Sequence, residues 1–218
     1  MIQLNFNNIP LQLLGEKAVF RPDNFTLYLA DTHFGKAGTF RRGGVPLPGG
    51  HNSADYLRLN HLIDEHNPKR IIFLGDLFHS DINSEWRGFT EWRSGHPGIS
   101  MMLVQGNHDV LHADDYADAG LEVQQEGYDD DGLTLNHHPV PDDSSAVDLK
   151  PSLCGHVHPG VRLSGPGRQY ENLPCFWHSV HHKQLMLPAF GSFTGLGIVS
   201  PAKKDDVFVI AEGQVLRV

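Results

Sequence analysis

Ile99-Ser100-Met101-Met102-Leu103-Val104-Gln105-Gly106-Asn107-His108-Asp109 is the stretch that decides the fold. Its first six residues are nearly all apolar and of strand length, which suits a strand covered on both faces, as in the parallel sheet of an α/β protein. The strand ends in a polar turn. There Gly106 allows close backbone approach, while Asn107, His108 and Asp109 offer a carbonyl ligand, a proton carrier and an orienting carboxylate.

Two earlier runs end in the same way. Residues 25–30 lead into Asp31-Thr32-His33, and residues 70–74 lead into Gly75-Asp76. Between the runs lie helical patterns. Ser53 is a plausible N-cap for a helix over residues 53–67 with Tyr56, Leu59, Leu62 and Ile63 on one face and Pro68 as its stop. Residues 84–93 carry Trp86, Phe89 and Trp92 at helical spacing, as core groups. Strand, loop, helix, strand predicts an α/β core with parallel pairing, and open sheets of that kind collect their ligand groups at the carboxyl ends of neighbouring strands.

Upstream, residues 2–6, 11–14 and 18–20 read as short strands between turn signals. Downstream come a short helix over residues 114–119 and strands at 121–124 and 133–136, with Asp129-Asp130-Asp131-Gly132 as the turn between them. Short strands then follow at 153–154, 161–163, 175–180, 184–187, 207–211 and 215–218. They predict a second, mixed or antiparallel sheet packed on the first. Two further strand ends close on His137-His138-Pro139 and Gly155-His156-Val157-His158.

Length and composition narrow the function. A chain of 218 residues with 39% hydrophobic and 20% charged residues fits one soluble domain, residues 1–218. No apolar run approaches the roughly 20 residues of a membrane helix. The start of the chain lacks the features of a signal peptide, and Cys154 and Cys175 do not suggest a disulfide framework, so a cytoplasmic location is expected. A net charge of -9 argues against a broad electrostatic grip on nucleic acid, although bound cations would add positive charge where carboxylates cluster. Lys36, Arg41 and Arg42, in a Gly- and Pro-rich loop, are candidates for substrate phosphate contact. Fifteen histidines offer metal ligands and proton carriers.

Phosphate ester hydrolysis fits these groups. Charge must be neutralised, a water activated and the leaving oxygen protonated, and two divalent metals perform the first two tasks. Asp76 is the candidate bridge between them. Asp31 and His33, two residues apart, can point to one ion, and His156 and His158 can each reach a different ion. Asn107 and His137 complete mixed nitrogen and oxygen shells, which suit manganese, iron or zinc. His108 is left to face the substrate, with Asp109 orienting it through the far ring nitrogen. In the doublet His137-His138 the first directly follows the apolar strand and is taken as the ligand.

The ordered series Asp31-Thr32-His33, Gly75-Asp76, Gly106-Asn107-His108-Asp109, a later His, and Gly155-His156-Val157-His158 resembles the calcineurin-like metallophosphoesterase superfamily. With Gly35-Lys36-Ala37, Phe40-Arg41, Gly44-Val45-Pro46, the wider Gly75-Asp76-Leu77-Phe78-His79 and residues 187–195, it is similar to the bacterial DNA-ligase-associated members. The resemblance implies a four-layer fold of two mixed β-sheets flanked by helices, with a dinuclear site at the sheet edge. One metal would take Asp31, His33, Asp76 and His158, and the other Asp76, Asn107, His137 and His156. Manganese is the expected metal, and His108 is the substrate-facing histidine. The implied reaction is in-line attack of a metal-activated hydroxide on a phosphodiester, with DNA or RNA as possible substrate and a repair ligase or helicase as partner. His79 stands where many relatives carry an acidic residue; it and His138 join the candidate substrate contacts. Hydrolysis of a small phosphomonoester and a non-catalytic, partner-binding scaffold are the alternatives.

Overall fold

The computed structural model describes residues 1–35, 51–78, 84–141 and 149–218. Lys36, Arg41, Arg42 and His79 lie outside them. In chain order the elements are β1 (Ile2–Phe6), β2 (Ile9–Leu14), β3 (Ala18–Arg21), β4 (Thr26–Ala30), α1 (His51–His66), β5 (Arg70–Leu74), α2 (Ser84–Ser94), β6 (Ser100–Val104), α3 (Ala113–Asp118) and β7 (Glu122–Gln124). They continue with β8 (Tyr128–Asp130), β9 (Leu133–Leu135), β10 (Ser152–Cys154), β11 (Pro159–Ser164), β12 (Tyr170–Ser179), β13 (Gln184–Met186), β14 (Gly197–Ile198), β15 (Asp206–Ala211) and β16 (Gln214–Arg217).

The first sheet runs β1-β2-β3-β4-β5-β6-β7, antiparallel as far as β4 and parallel from there. Its central strands are apolar throughout because both faces are covered. Leu27, Leu29, Ile71, Phe73, Met101 and Leu103 face the helices and meet Leu59, Leu62, Phe89 and Tyr116. The alternate residues Tyr28, Ala30, Ile72, Leu74, Met102 and Val104 meet Leu135, Leu153, Phe176 and Leu185 of the second sheet. Each large side chain so buried contributes about 1.5–3 kcal/mol, and a one-residue slip would exchange the two faces.

The second sheet is ordered β14-β11-β12-β13-β10-β9-β8, with β15 pairing β12 and β16. Its outer face carries a smaller cluster of Val161, Cys175, Val207 and Val209. Both cysteines are buried and free.

Register positions the site. Ala30 is level with Leu74, and Leu74 with Val104, so Asp31, Gly75 and Gln105 leave the first sheet at one height. In the second sheet β10 is parallel to β9 and β13, which sends His137 and His156 off neighbouring strand ends.

Three local expectations are corrected. The first helix begins at His51, so Ser53 is within it and is not its N-cap. β7 and β9 do not form a hairpin: β7 closes the first sheet beside β6, and β9 pairs with β8 and β10 in the second. The third concerns Asp130, read as part of a turn, which lies in β8 and is buried. Tyr28 donates its hydroxyl to Asp130 Oδ2 at 2.6 Å and Arg70 donates to Oδ1 at 2.8 Å, which ties the second sheet to the first. Burial, reinforced by the Asp130 charge, pushes the Tyr28 hydroxyl well above its ordinary pKa and keeps it a donor.

Candidate metal centre

The strand ends turn sharply. Asp31, His33, Asp76, His156 and His158 have φ of 50°, 43°, 51°, 68° and 51°, the left-handed region that costs a side-chain-bearing residue roughly 1–2 kcal/mol. Such conformations persist where the surroundings fix them, and they cluster at functional sites. Here adjoining backbone supplies the constraint. His33 N donates to Asp76 O at 2.9 Å, and Phe190 N and Gly191 N donate to Ala30 O and Asp31 O at 2.8 and 3.1 Å. Gly75, at φ 76°, passes so close to His137 that a Cβ there would lie 2.1 Å from its Nδ1.

These turns gather two sets of candidate ligand atoms. Asp31 Oδ1 and His158 Nε2 are 3.3 Å apart, and Asp31, His33 and His158 can offer their atoms to one ion. In the second set His137 Nε2 stands 3.0 Å from Asn107 Oδ1, 3.0 Å from His156 Nδ1 and 3.5 Å from Asp76 Oδ1. Asp76 connects the sets, since its Oδ2 lies 3.7 Å from His33 Nε2.

The donor set fits divalent cations. His137 Nδ1 stands 3.0 Å from Leu74 O and donates to it. That leaves Nε2 with a lone pair aimed at the amide oxygen, the carboxylate oxygen and the second imidazole. Lone pairs converging in a buried place repel one another without a cation between them. Asp31 Oδ1 is buried and accepts no hydrogen bond. Ligand atoms roughly 2.1 Å from an octahedral ion sit roughly 3 Å apart, close to the separations seen.

Charge is managed around the ligands. Burial, with the adjacent His137 and His138, lowers the His156 pKa and favours its neutral, ligating form. Burial pushes the Asp109 carboxyl up to about 7 despite three backbone donors. Those donors correct its expected role. Gly106 N and Asp76 N donate to Asp109 Oδ2, both at 2.8 Å, and Leu77 N donates to Oδ1 at 2.9 Å. Asp109 therefore braces two turns, where the sequence reading had it orient His108. His108 is exposed at the mouth, its N–H donating to Asp76 Oδ1 at 3.0 Å and its ring centroid 5.7 Å from that of His33.

The His137-His138 pair divides sharply. His137 is fully buried among the ligand atoms, whereas His138 is exposed with its ring centroid 4.4 Å from that of His156. Glu126, which the sequence reading missed, holds the pair. Its Oε1 accepts His137 N at 2.9 Å and His138 N at 2.5 Å, and lies 3.1 Å from His138 Nδ1. Burial works to raise its pKa, but these hydrogen bonds outweigh burial and hold the carboxyl below its usual range. A Glu 11 residues before the doublet carries no local motif; only its place just past β7 hinted at the site. Asp55 and Arg58 of α1 were missed as well. Asp55 accepts Ser192 Oγ–H at 2.6 Å and Arg58 donates to Phe190 O, bracing the loop that supports Asp31.

No family model and no curated protein matches this sequence. Among solved structures the chain is similar to the nuclease MPE of Pseudomonas putida, at TM-score 0.80 and 30% identity over 100% of this chain and 99% of that one. A second likeness is to YfcE, a phosphoesterase from E. coli, at TM-score 0.44 and 12% identity over 88% of this chain and 97% of that one.

Proposed function

This chain belongs to the calcineurin-like metallophosphoesterase superfamily and is a phosphoester hydrolase, and we propose that it cleaves phosphodiesters at a dinuclear divalent-metal centre. The observation that carries the reading is the placement of Asp76, whose two carboxylate oxygens face different sets of ligand atoms. Asp31, His33, Asp76 and His158 would hold one ion, and Asp76, Asn107, His137 and His156 the other. Manganese suits the mixed shells, with iron or zinc as alternatives.

Bound ions supply charge neutralisation for the phosphate and acidify a water. The chain's own groups do the rest. Asp109 and Gly106 hold the turns beneath Asp76, Glu126 fixes the His137-His138 backbone, and the Leu74 carbonyl sets the His137 tautomer. His108, exposed beside Asp76 and outside the proposed ligand set, presents a proton to the departing oxygen. His138, exposed beside His156, would contact phosphate.

A nucleic-acid strand is the substrate that the likeness to a nuclease supports, and residues 1–218 act as one domain in a reducing cytoplasm that suits two free cysteines. No helix of the described residues is long and apolar enough to cross a membrane. Association with a DNA-repair ligase or helicase rests on the motif resemblance. The net charge of -9 favours a second substrate class, small phosphate esters that need no extended basic surface.

Metal analysis with manganese in excess, combined with rates on single-stranded DNA, a nucleotide phosphodiester and a phosphomonoester, tests the proposal. Two ions per chain and turnover of the diesters are expected. One ion or none, or cleavage of the monoester alone, would overturn it.

A further inference from the structure

A cavity of about 610 Å³ is walled in part by residues of the two histidine motifs. Val157, between His156 and His158, and Pro139, next to His138, belong to its lining. Its floor is the outer face of the second sheet, where Trp177 and Met186 are register partners. Trp177 is oriented: its indole N–H donates to Asp205 Oδ2 at 2.9 Å. Asp205 is held in turn by Ala202 N at 2.9 Å and Val180 N at 3.2 Å.

Two polar side chains of the lining each carry a buried nitrogen with no partner. Gln184 is 1% exposed; its Oε1 accepts Val140 N at 3.2 Å, while its Nε2 has no hydrogen-bond partner. His182 Nδ1 is 3.0 Å from Ser179 Oγ, and its buried Nε2 is also without a partner. A buried polar atom left without a partner costs roughly 1–3 kcal/mol, and here one is an amide donor and the other a ring nitrogen that donates or accepts according to its tautomer, so the slot suits something with both kinds of group along one edge. The described lining contains a carboxylate and neither Lys nor Arg, which disfavours phosphate and favours a neutral ring.

We propose that this cavity is a nucleobase subsite, in which one base of the substrate lies along Trp177 with its polar edge toward the Gln184 and His182 side chains while its phosphate is at the metal centre. The proposal rests on the phosphodiesterase reading, which it deepens. A flat heteroaromatic ring satisfies each feature at once: apolar faces for Trp177 and Met186, and edge acceptors and donors for Gln184 and His182. Ring stacking of this sort tolerates every base.

The test uses the full chain loaded with manganese and nucleosides, which carry no phosphate and so report on the subsite apart from the metals. Thymidine and adenosine binding, followed by ligand-observed NMR, is expected in the wild type and in Trp177→Phe, and is expected to weaken roughly tenfold or more in Trp177→Ala. Gln184→Leu, which leaves the indole in place, is expected to weaken binding less and to alter the preference between the two. In steady-state assays Trp177→Ala raises KM for a dinucleotide about as much as it weakens nucleoside binding and leaves kcat within about threefold. Absence of nucleoside binding to the wild type, or equal binding by Trp177→Ala, overturns the subsite whether or not the phosphodiesterase reading stands. Failure of that reading would show instead as missing turnover with both ions bound.

Discussion

Asp109 Oδ2 accepts the backbone N–H of Asp76 at 2.8 Å, joining two strand-end turns that are 33 residues apart. The same oxygen takes Gly106 N–H, and Oδ1 takes that of Leu77. The carboxylate with both oxygens toward the ligand sets, Asp76, is thus held from beneath by a second carboxylate.

This arrangement has a pH signature. Burial raises the Asp109 carboxyl to about 7 in the folded chain, against about 3.9 unfolded. An acid whose pKa is higher in the folded state contributes stability that is full at low pH and is lost as pH rises, here between about 4 and about 7. The melting-temperature gap between wild type and Asp109→Asn, in chelator, is expected to narrow across that window. A gap independent of pH would contradict the burial argument.

Removing the carboxylate that the proposed dinuclear centre shares separates one ion from two. Asp76→Ala is expected to bind fewer than two manganese ions per chain and to lose more than about a hundredfold in diester turnover. Elemental analysis after dialysis reads the first effect independently of the second.

Glu126 holds the backbone of the His137-His138 pair and lies 3.1 Å from His138 Nδ1. Glu126→Ala should weaken the ion proposed for Asn107, His137 and His156 by about 10–100-fold, the usual cost of losing such support. Competition titration with a chelating dye should show one weakened site and one unaffected site.

His108 should matter according to the leaving group. His108→Asn is expected to slow cleavage of alkyl and nucleotide diesters by about 10²–10⁴-fold and to spare an activated nitrophenyl ester much more, with both ions retained. Equal losses on both substrates would argue that His108 does not carry the proton.

Away from the site, Asp130→Ala leaves Tyr28 and Arg70 without their shared acceptor. A loss of about 2–4 kcal/mol is expected, measured by urea unfolding, with metal stoichiometry unchanged.

Much of this was legible in the chain. The runs ending at Ala30, Leu74 and Val104 are apolar at consecutive positions, which only two-sided burial explains, and the structure pairs them in parallel with their ends level. Asp31, His33, Asp76, Asn107, His137, His156 and His158 could be picked out because each lies in a polar strand-end turn. What stayed hidden depends on partners far along the chain. Asp130 looks like a turn residue among acids until Tyr28 and Arg70, 102 and 60 residues away, supply its hydrogen bonds. Asp109 looks like a partner for its neighbour His108 until the backbone of residues 76 and 77 claims its oxygens.

The sequence by itself thus determined the buried parallel strands, the residue types at their ends and the chemistry those types can perform, because burial pattern and ligand identity are local properties of the chain. Only the tertiary structure decided which of His137 and His138 is buried among the candidate ligand atoms, that Glu126 holds them both, and that Gln184 and His182, with their idle polar atoms, line a cavity together with Trp177. Those are relations in space, set by how two sheets stack and where their strands end, and residue spacing along the chain does not encode them.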